Sequence, residues 1–187
     1  CIFVVMKKNF LTITIVGILL LTRAQAGELQ VGFAQLSITP DLIDQWVDVD
    51  NNAQFDPDID LWTDVNGNGK FDAVWMAGFQ NQRPAQGIKD NIMAVAVVID
   101  DGKNRIGIVT ADTVGLMRKF VLGVRKAVPT EWGLDYLMVH ATHNHEGPDT
   151  QGLWGPGFLS SGVDPDYMQQ LQQNILDALS QAIDNLE

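Results

Sequence analysis

All three histidines of this 187-residue chain fall in one stretch, Val139-His140-Ala141-Thr142-His143-Asn144-His145-Glu146-Gly147-Pro148-Asp149. Imidazole suits zinc and similar metals. An H-x-H pair in extended backbone points both rings the same way, so His143 and His145 either share one metal or pair a ligand with an acid/base group. Gly147-Pro148 predicts a sharp turn behind them that keeps the rings at a rim. Nearby carboxylates favour a metal site over an ordinary polar loop. His140 lies within the preceding apolar run, which predicts a hydrogen-bonded core residue or a group supporting a ligand from behind.

A second constellation is acidic. Residues 41–72 hold nine aspartates, no glutamate and one lysine. Trp46-Val-Asp48-Val-Asp50-Asn-Asn52-Ala-Gln-Phe55-Asp56 repeats sixteen residues later as Trp62-Thr-Asp64-Val-Asn66-Gly-Asn68-Gly-Lys-Phe71-Asp72. Oxygen-bearing side chains recur at loop positions 1, 3, 5 and 9, namely Asp48, Asp50, Asn52 and Asp56, then Asp64, Asn66, Asn68 and Asp72. This spacing, with Gly69 at position 6, matches the first part of a helix–loop–helix calcium loop. The glutamate of position 12 is missing, since Ile59 and Trp75 stand there. Asp56, Asp58, Asp60 or water would complete the shell. The competing account is that Asp and Asn here only make turns and caps. Matched Trp, Phe and Asp positions in both copies favour calcium.

The elements that must hold these groups read as an α/β domain, a layered β-sheet core flanked by helices. Leu29–Thr39 reads as a strand ending at Pro40. The apolar runs Ile92–Ile99 and Arg105–Thr110, joined by Asp101-Gly102, read as a hairpin. Val114–Val128 has helical periodicity, and Asp112 before it would cap that helix, orient a histidine or approach the metal. Tyr136–Ala141 reads as a buried strand. Strand, helix, strand in this order puts the loops after Thr110 and Ala141 at one end of the sheet, where α/β proteins bind ligands. Residues 165–187 form an amphipathic helix pattern that meets no stop signal, which predicts a longer polypeptide.

The first 26 residues read as an export signal. Lys7 and Lys8 precede an apolar run, Phe10–Leu21, and Ala24-x-Ala26 offers the small side chains of a cleavage site. The run is shorter than the ~20 residues of a membrane span. Met6 is then the start and Gly27 the mature N-terminus, which predicts a secreted, periplasmic or extracellular protein. Losing Lys7, Lys8 and Arg23 leaves nine basic against 23 acidic residues, a net charge of −14. Such a surface repels nucleic acid and suits bound cations. The single cysteine, Cys1, precedes Gly27, so stability rests on packing and on metal rather than on disulfides.

Ala141-Thr142-His143-Asn144-His145-Glu146-Gly147-Pro148 resembles the A-T-H-T-H-S-G-P segment of neutral (non-lysosomal) ceramidases. Ser37-Ile38-Thr39-Pro40 is similar to that family's early D-I-T-P element. Gln86-Gly87-Ile88 is similar to the G-I-H strand, and Ile108–Asp112 to a strand ending in aspartate. The resemblance spans about residues 30 to 150. It implies a zinc-dependent amidase acting on the N-acyl bond of ceramide, with peripheral contact at lipid. By the same resemblance His143 is the zinc ligand and His145 the catalytic group. The other ligands and a serine nucleophile would lie beyond Glu187, so residues 27–187 alone would be inactive. Asn144, Glu146, Lys89 and Val95 depart from the family's Thr, Ser, His and Arg, and the acidic repeat is no part of its pattern.

Two other readings compete with the exported zinc amidohydrolase. Asn144-His145-Glu146 is similar to the N-H-D/E element of metallophosphoesterases, but that class needs an early D-x-H and no histidine precedes His140. A non-catalytic, calcium-stabilised surface module would bind calcium without zinc.

Overall fold

The computed structural model describes residues 27–158 and 160–187, so the expected signal and its cleavage site lie outside the described residues. Among the described residues are six strands and two main helices: β1 (Gln30–Ser37), β2 (Gln45–Val47), β3 (Leu61–Thr63), β4 (Met93–Asp100), β5 (Arg105–Ala111), α1 (Arg118–Ala127), β6 (Tyr136–Ala141) and α2 (Pro165–Asp184). The main sheet has the order β1-β4-β5-β6, and β2 and β3 form a separate two-stranded ribbon.

The hairpin expected around Asp101-Gly102 is β4–β5, paired antiparallel from Ala94↔Ala111 to Asp100↔Arg105. Asp101 accepts the backbone N–H groups of Lys103 and Asn104, and Gly102 takes the positive φ of the turn. β6 returns parallel to β5, with Thr110↔His140 and Ala111↔Ala141 in register. The loops after β5 and β6 therefore leave the sheet side by side, as the strand–helix–strand order predicts.

One face of the sheet carries Ala34, Ala96, Val98, Val109, Leu137 and Val139, all buried in one cluster, with α2 lying over the β1–β4 side. The small alanines let the helix approach, and α2 answers with Leu171, Ile175, Ala178, Leu179 and Ala182 at helical spacing. Asp164 caps α2 by accepting the N–H of Asp166, with Pro165 at the first position. Val124 of α1 joins the same cluster. The opposite face presents Val31, Phe33, Ile106, Tyr136 and Met138, all exposed.

α1 begins four residues later than the periodicity from Val114 suggests. The carbonyls that would start the helix are already taken. Thr113 O accepts from Asn144 N, Val114 O from the His143 ring, and Gly115 O from Thr150 Oγ1. Asp112 consequently caps no helix; α1 starts after Met117 without a side-chain cap.

Candidate functional site

β6 ends at Ala141, and the chain then turns sharply instead of staying extended. His143 has φ +65°, a left-handed conformation uncommon for a residue with a Cβ. Two bonds to the neighbouring strand exit hold it there, Thr142 N to Ala111 O and Asn144 N to Thr113 O. The turn brings the two rings together, with His143 Nε2 and His145 Nε2 3.3 Å apart. The expected convergence is thus present, through a twist rather than through extended backbone.

The His143 ring is oriented from behind. Its Nδ1 lies 2.7 Å from Val114 O, and a carbonyl only accepts, so Nδ1 carries the proton. The Nε2 lone pair then faces outward, the arrangement common to metal-binding histidines. Two imidazoles on one tetrahedral zinc, at ~2.0–2.1 Å each, place their nitrogens about 3.3–3.4 Å apart. The separation is thus one that a shared zinc would accept, and the outward Nε2 of His143 could equally serve as a single ligand with His145 beside it.

Gly78, Phe79 and Arg83 enclose His145. The Phe79 ring stands edge-on at 5.2 Å between centroids. Arg83 Nη2 donates to His145 O at 2.7 Å and to Ala77 O at 2.6 Å, and Nη1 meets Glu146 Oε1 at 3.3 Å. Behind the pair, Gly147 and Pro148 are buried and dock against Met76 and Ala77, with Ala77 N donating to Gly147 O. The turn expected at Gly147-Pro148 is a bend at His145–Gly147 followed by this docked stretch. Asp149 comes next, fully buried, and accepts four backbone N–H groups, those of Gln151, Gly152, Trp154 and Gly162. It folds the following loop back upon itself.

Two candidates stand apart from the rings. Asp112 accepts from Thr142 Oγ1 and from Met93 N, tying the ends of β4 and β6 together without touching a histidine. His140 is a correction: it is neither in the core nor behind a ligand. It is exposed on the sheet face away from α2, and its Nε2 bonds Thr110 Oγ1 at 2.9 Å. Strand alternation explains this, because Val139 and Ala141 take the inward positions. A cleft of about 710 Å³ runs along the other side of the histidine segment, lined among others by Asp112, Thr142, Asn144, Glu146 and Lys89.

The acidic repeat folds as an exchanged pair. β2 and β3 pair antiparallel with Trp46 opposite Trp62. Trp46 packs edge-on to Phe55, Phe55 stacks on Phe71 at 4.1 Å, and Trp62 lies against Phe71, so the repeated aromatics form one small core. Buried Asp60 of the second copy accepts from Val49 N and Asp56 N of the first. Buried Asp44 of the first copy accepts from Val65 N and Asp72 N of the second. Asp44 and Asp60 are themselves sixteen residues apart, and extending the repeat four residues upstream of Asp48 and Asp64 reveals them.

Asp60 brings a carboxylate oxygen to within 4.8 Å of oxygens of Asp48 and Asp50. Asp58 is exposed and is not in that group. In the second loop Asp64 accepts from Gly67, Asn68 and Gly69, while the amides of Asn66 and Asn68 bond Asp72. Position 4 is left-handed in both copies (Asn51, Gly67), and so is position 6 (Ala53, Gly69). The two loops therefore share a backbone path as well as a sequence pattern.

No family model and no curated relative matches the chain. Among solved structures, a ceramidase complexed with C2 aligns with a TM-score of 0.57 and 19% identity over 85% of this chain. Neutral ceramidase from Pseudomonas aeruginosa aligns with a TM-score of 0.57 and 17% identity over the same share. The chain shares their fold. It spans 22% of the length of each of those ceramidase chains.

Proposed function

We propose that this chain is part of an exported, zinc-dependent amide hydrolase of the neutral-ceramidase kind, acting on an amide that carries an apolar acyl chain. The observation that carries the reading is the convergence of His143 and His145 at the ligand-binding end of a ceramidase-like sheet, with the His143 tautomer set by Val114 O. His143 Nε2 would hold the zinc ion, which when bound would supply Lewis-acid polarisation of the scissile carbonyl. His145 bonds the oxygen or nitrogen on which charge develops. Exposed Phe79 gives the site an apolar wall beside that ring. Asp112 acts indirectly, by fixing Thr142 immediately before His143. The acidic repeat supports calcium as a second cation, taken first by Asp48, Asp50 and Asp60. It braces the site, because Phe55 N bonds Gln82 O next to Arg83.

The test uses the full-length protein, since the similar structures are several times longer than this chain. His143→Ala should remove zinc and amide hydrolysis together. His145→Ala should keep zinc and lower kcat by roughly 10²–10⁴-fold, as expected for one acid/base or oxyanion group. Loss of zinc in His145→Ala would make both residues ligands, which the 3.3 Å spacing also suits. If neither substitution alters zinc content or hydrolysis, the protein is a calcium-stabilised surface module and the hydrolase reading is wrong.

A further inference from the structure

We infer that Gly78 and Arg83 are positioning residues for His145, an assignment whose kinetic part rests on the hydrolase reading above. The segment Trp75–Pro84 laps over the histidine turn. Met76 bridges to Pro148, Ala77 N bonds Gly147 O, and Met76 N bonds Arg83 O, closing the lap on itself. At its apex Gly78 has φ +110°, and a Cβ there would lie 2.6 Å from His145 Cβ and 2.7 Å from Nδ1, with Cγ nearer still. Since the conflict reaches His145 Cβ, rotating the ring would not relieve it. A side chain at position 78 must move the His145 backbone or the lap.

Arg83 sets the same ring from the main-chain side. One guanidinium nitrogen bridges Ala77 O and His145 O, so the backbone before Gly78 and the backbone of His145 share one donor. The guanidinium also lies 4.9 Å from the Phe79 ring centroid, and Phe79 in turn faces His145. The planar fork makes these bonds together, whereas a lysine ammonium is a point charge on a flexible stem. His143 is held separately, by Val114 O. The lap thus fixes His145 relative to His143 without fixing His143 itself.

The experiment compares Gly78→Ala, Arg83→Lys and Arg83→Ala in the full-length protein. The first readout is independent of activity. Imidazole ¹H–¹³C signals of the metal-free protein are assigned through single His→Gln variants, with His140, bonded to Thr110 on the far face, as internal reference. Gly78→Ala and Arg83→Ala should move the His145 signal and leave His140 in place, and Arg83→Lys should move His145 less. The second readout is kinetic. Zinc content should hold while kcat falls about 10²-fold, the scale of a 1 Å misplacement, and KM changes little. Unmoved His145 signals in folded Gly78→Ala and Arg83→Ala proteins would overturn the assignment. Should Gly78→Ala fail to fold, the two Arg83 variants decide alone on the same criterion. If the wild type hydrolyses no amide, the function reading fails while the spectra still decide the positioning.

Discussion

Replacing Asp149 by alanine tests how the loop beside the histidines is held. The side chain is fully buried, and its two oxygens accept four backbone N–H groups between Gln151 and Gly162. A bond to a charged acceptor contributes ~1.5–3 kcal/mol, so four give an upper bound on the order of 6–12 kcal/mol. Water entering the vacated space and relaxation of an otherwise irregular loop recover part of that. Removing one partner of a buried charged network commonly costs about 3–5 kcal/mol, and we expect Asp149→Ala in that range. For a domain of this size the shift in Tm is about 10 °C. Asp149→Asn keeps the shape but turns one acceptor into a donor facing two N–H groups, and should lose nearly as much. Urea unfolding followed by tryptophan fluorescence gives the free energy, and chymotrypsin cleavage at Trp154 or Phe158 reports the loop. A loss below about 1 kcal/mol with unchanged cleavage would refute the claim that this carboxylate organises the loop.

Ala53→Gly should stabilise the protein by about 0.5–1 kcal/mol in thermal or urea unfolding, because relief of a left-handed alanine outweighs glycine's added freedom in the unfolded chain. Gly69→Ala should shift stability the opposite way. Chelation with EGTA should lower Tm and excess calcium restore it by mass action, with Asp48→Ala and Asp64→Ala each removing part of the response; a wild type indifferent to calcium leaves turn chemistry as the better account. Burial pushes the Tyr167 hydroxyl pKa well above 10, so the native state holds that proton more tightly than the unfolded chain does. Its contribution is complete below pH 10 and declines above it. Tyr167→Phe should therefore cost about 1 kcal/mol at neutral pH, from the lost bond to Ile38 O, and show a shallower alkaline fall in urea titrations.

Much of the frame was legible in sequence because its signals are local. The Asp101-Gly102 turn, the apolar strands around it, and the amphipathic pattern of α2 from residue 165 all lie within a few residues of what they specify. The start of α1 was not legible, since Val114 and Leu116 fit the helical period while their segment's carbonyls serve loops some thirty residues away. The histidine pair announced itself by residue type. Gly78 and Arg83 did not: they meet His145 across more than sixty positions, and neither belongs to a periodic pattern. His140 misled because an apolar strand context implies burial, whereas alternation turned it outward.

The crossed aspartates give the acidic repeat an unexpected unit of construction. Asp44 completes the loop at 64–72, and Asp60 completes the loop at 48–56. The sixteen-residue motif visible in sequence is therefore not a piece that could be excised or grafted elsewhere alone. A single copy would keep its loop but lose the carboxylate that closes it, and would carry a buried-type aspartate with no loop to serve. The smallest transferable part is the pair, from Asp44 to Asp72. Its two halves should melt in one step, and damage to either should be felt equally in the other.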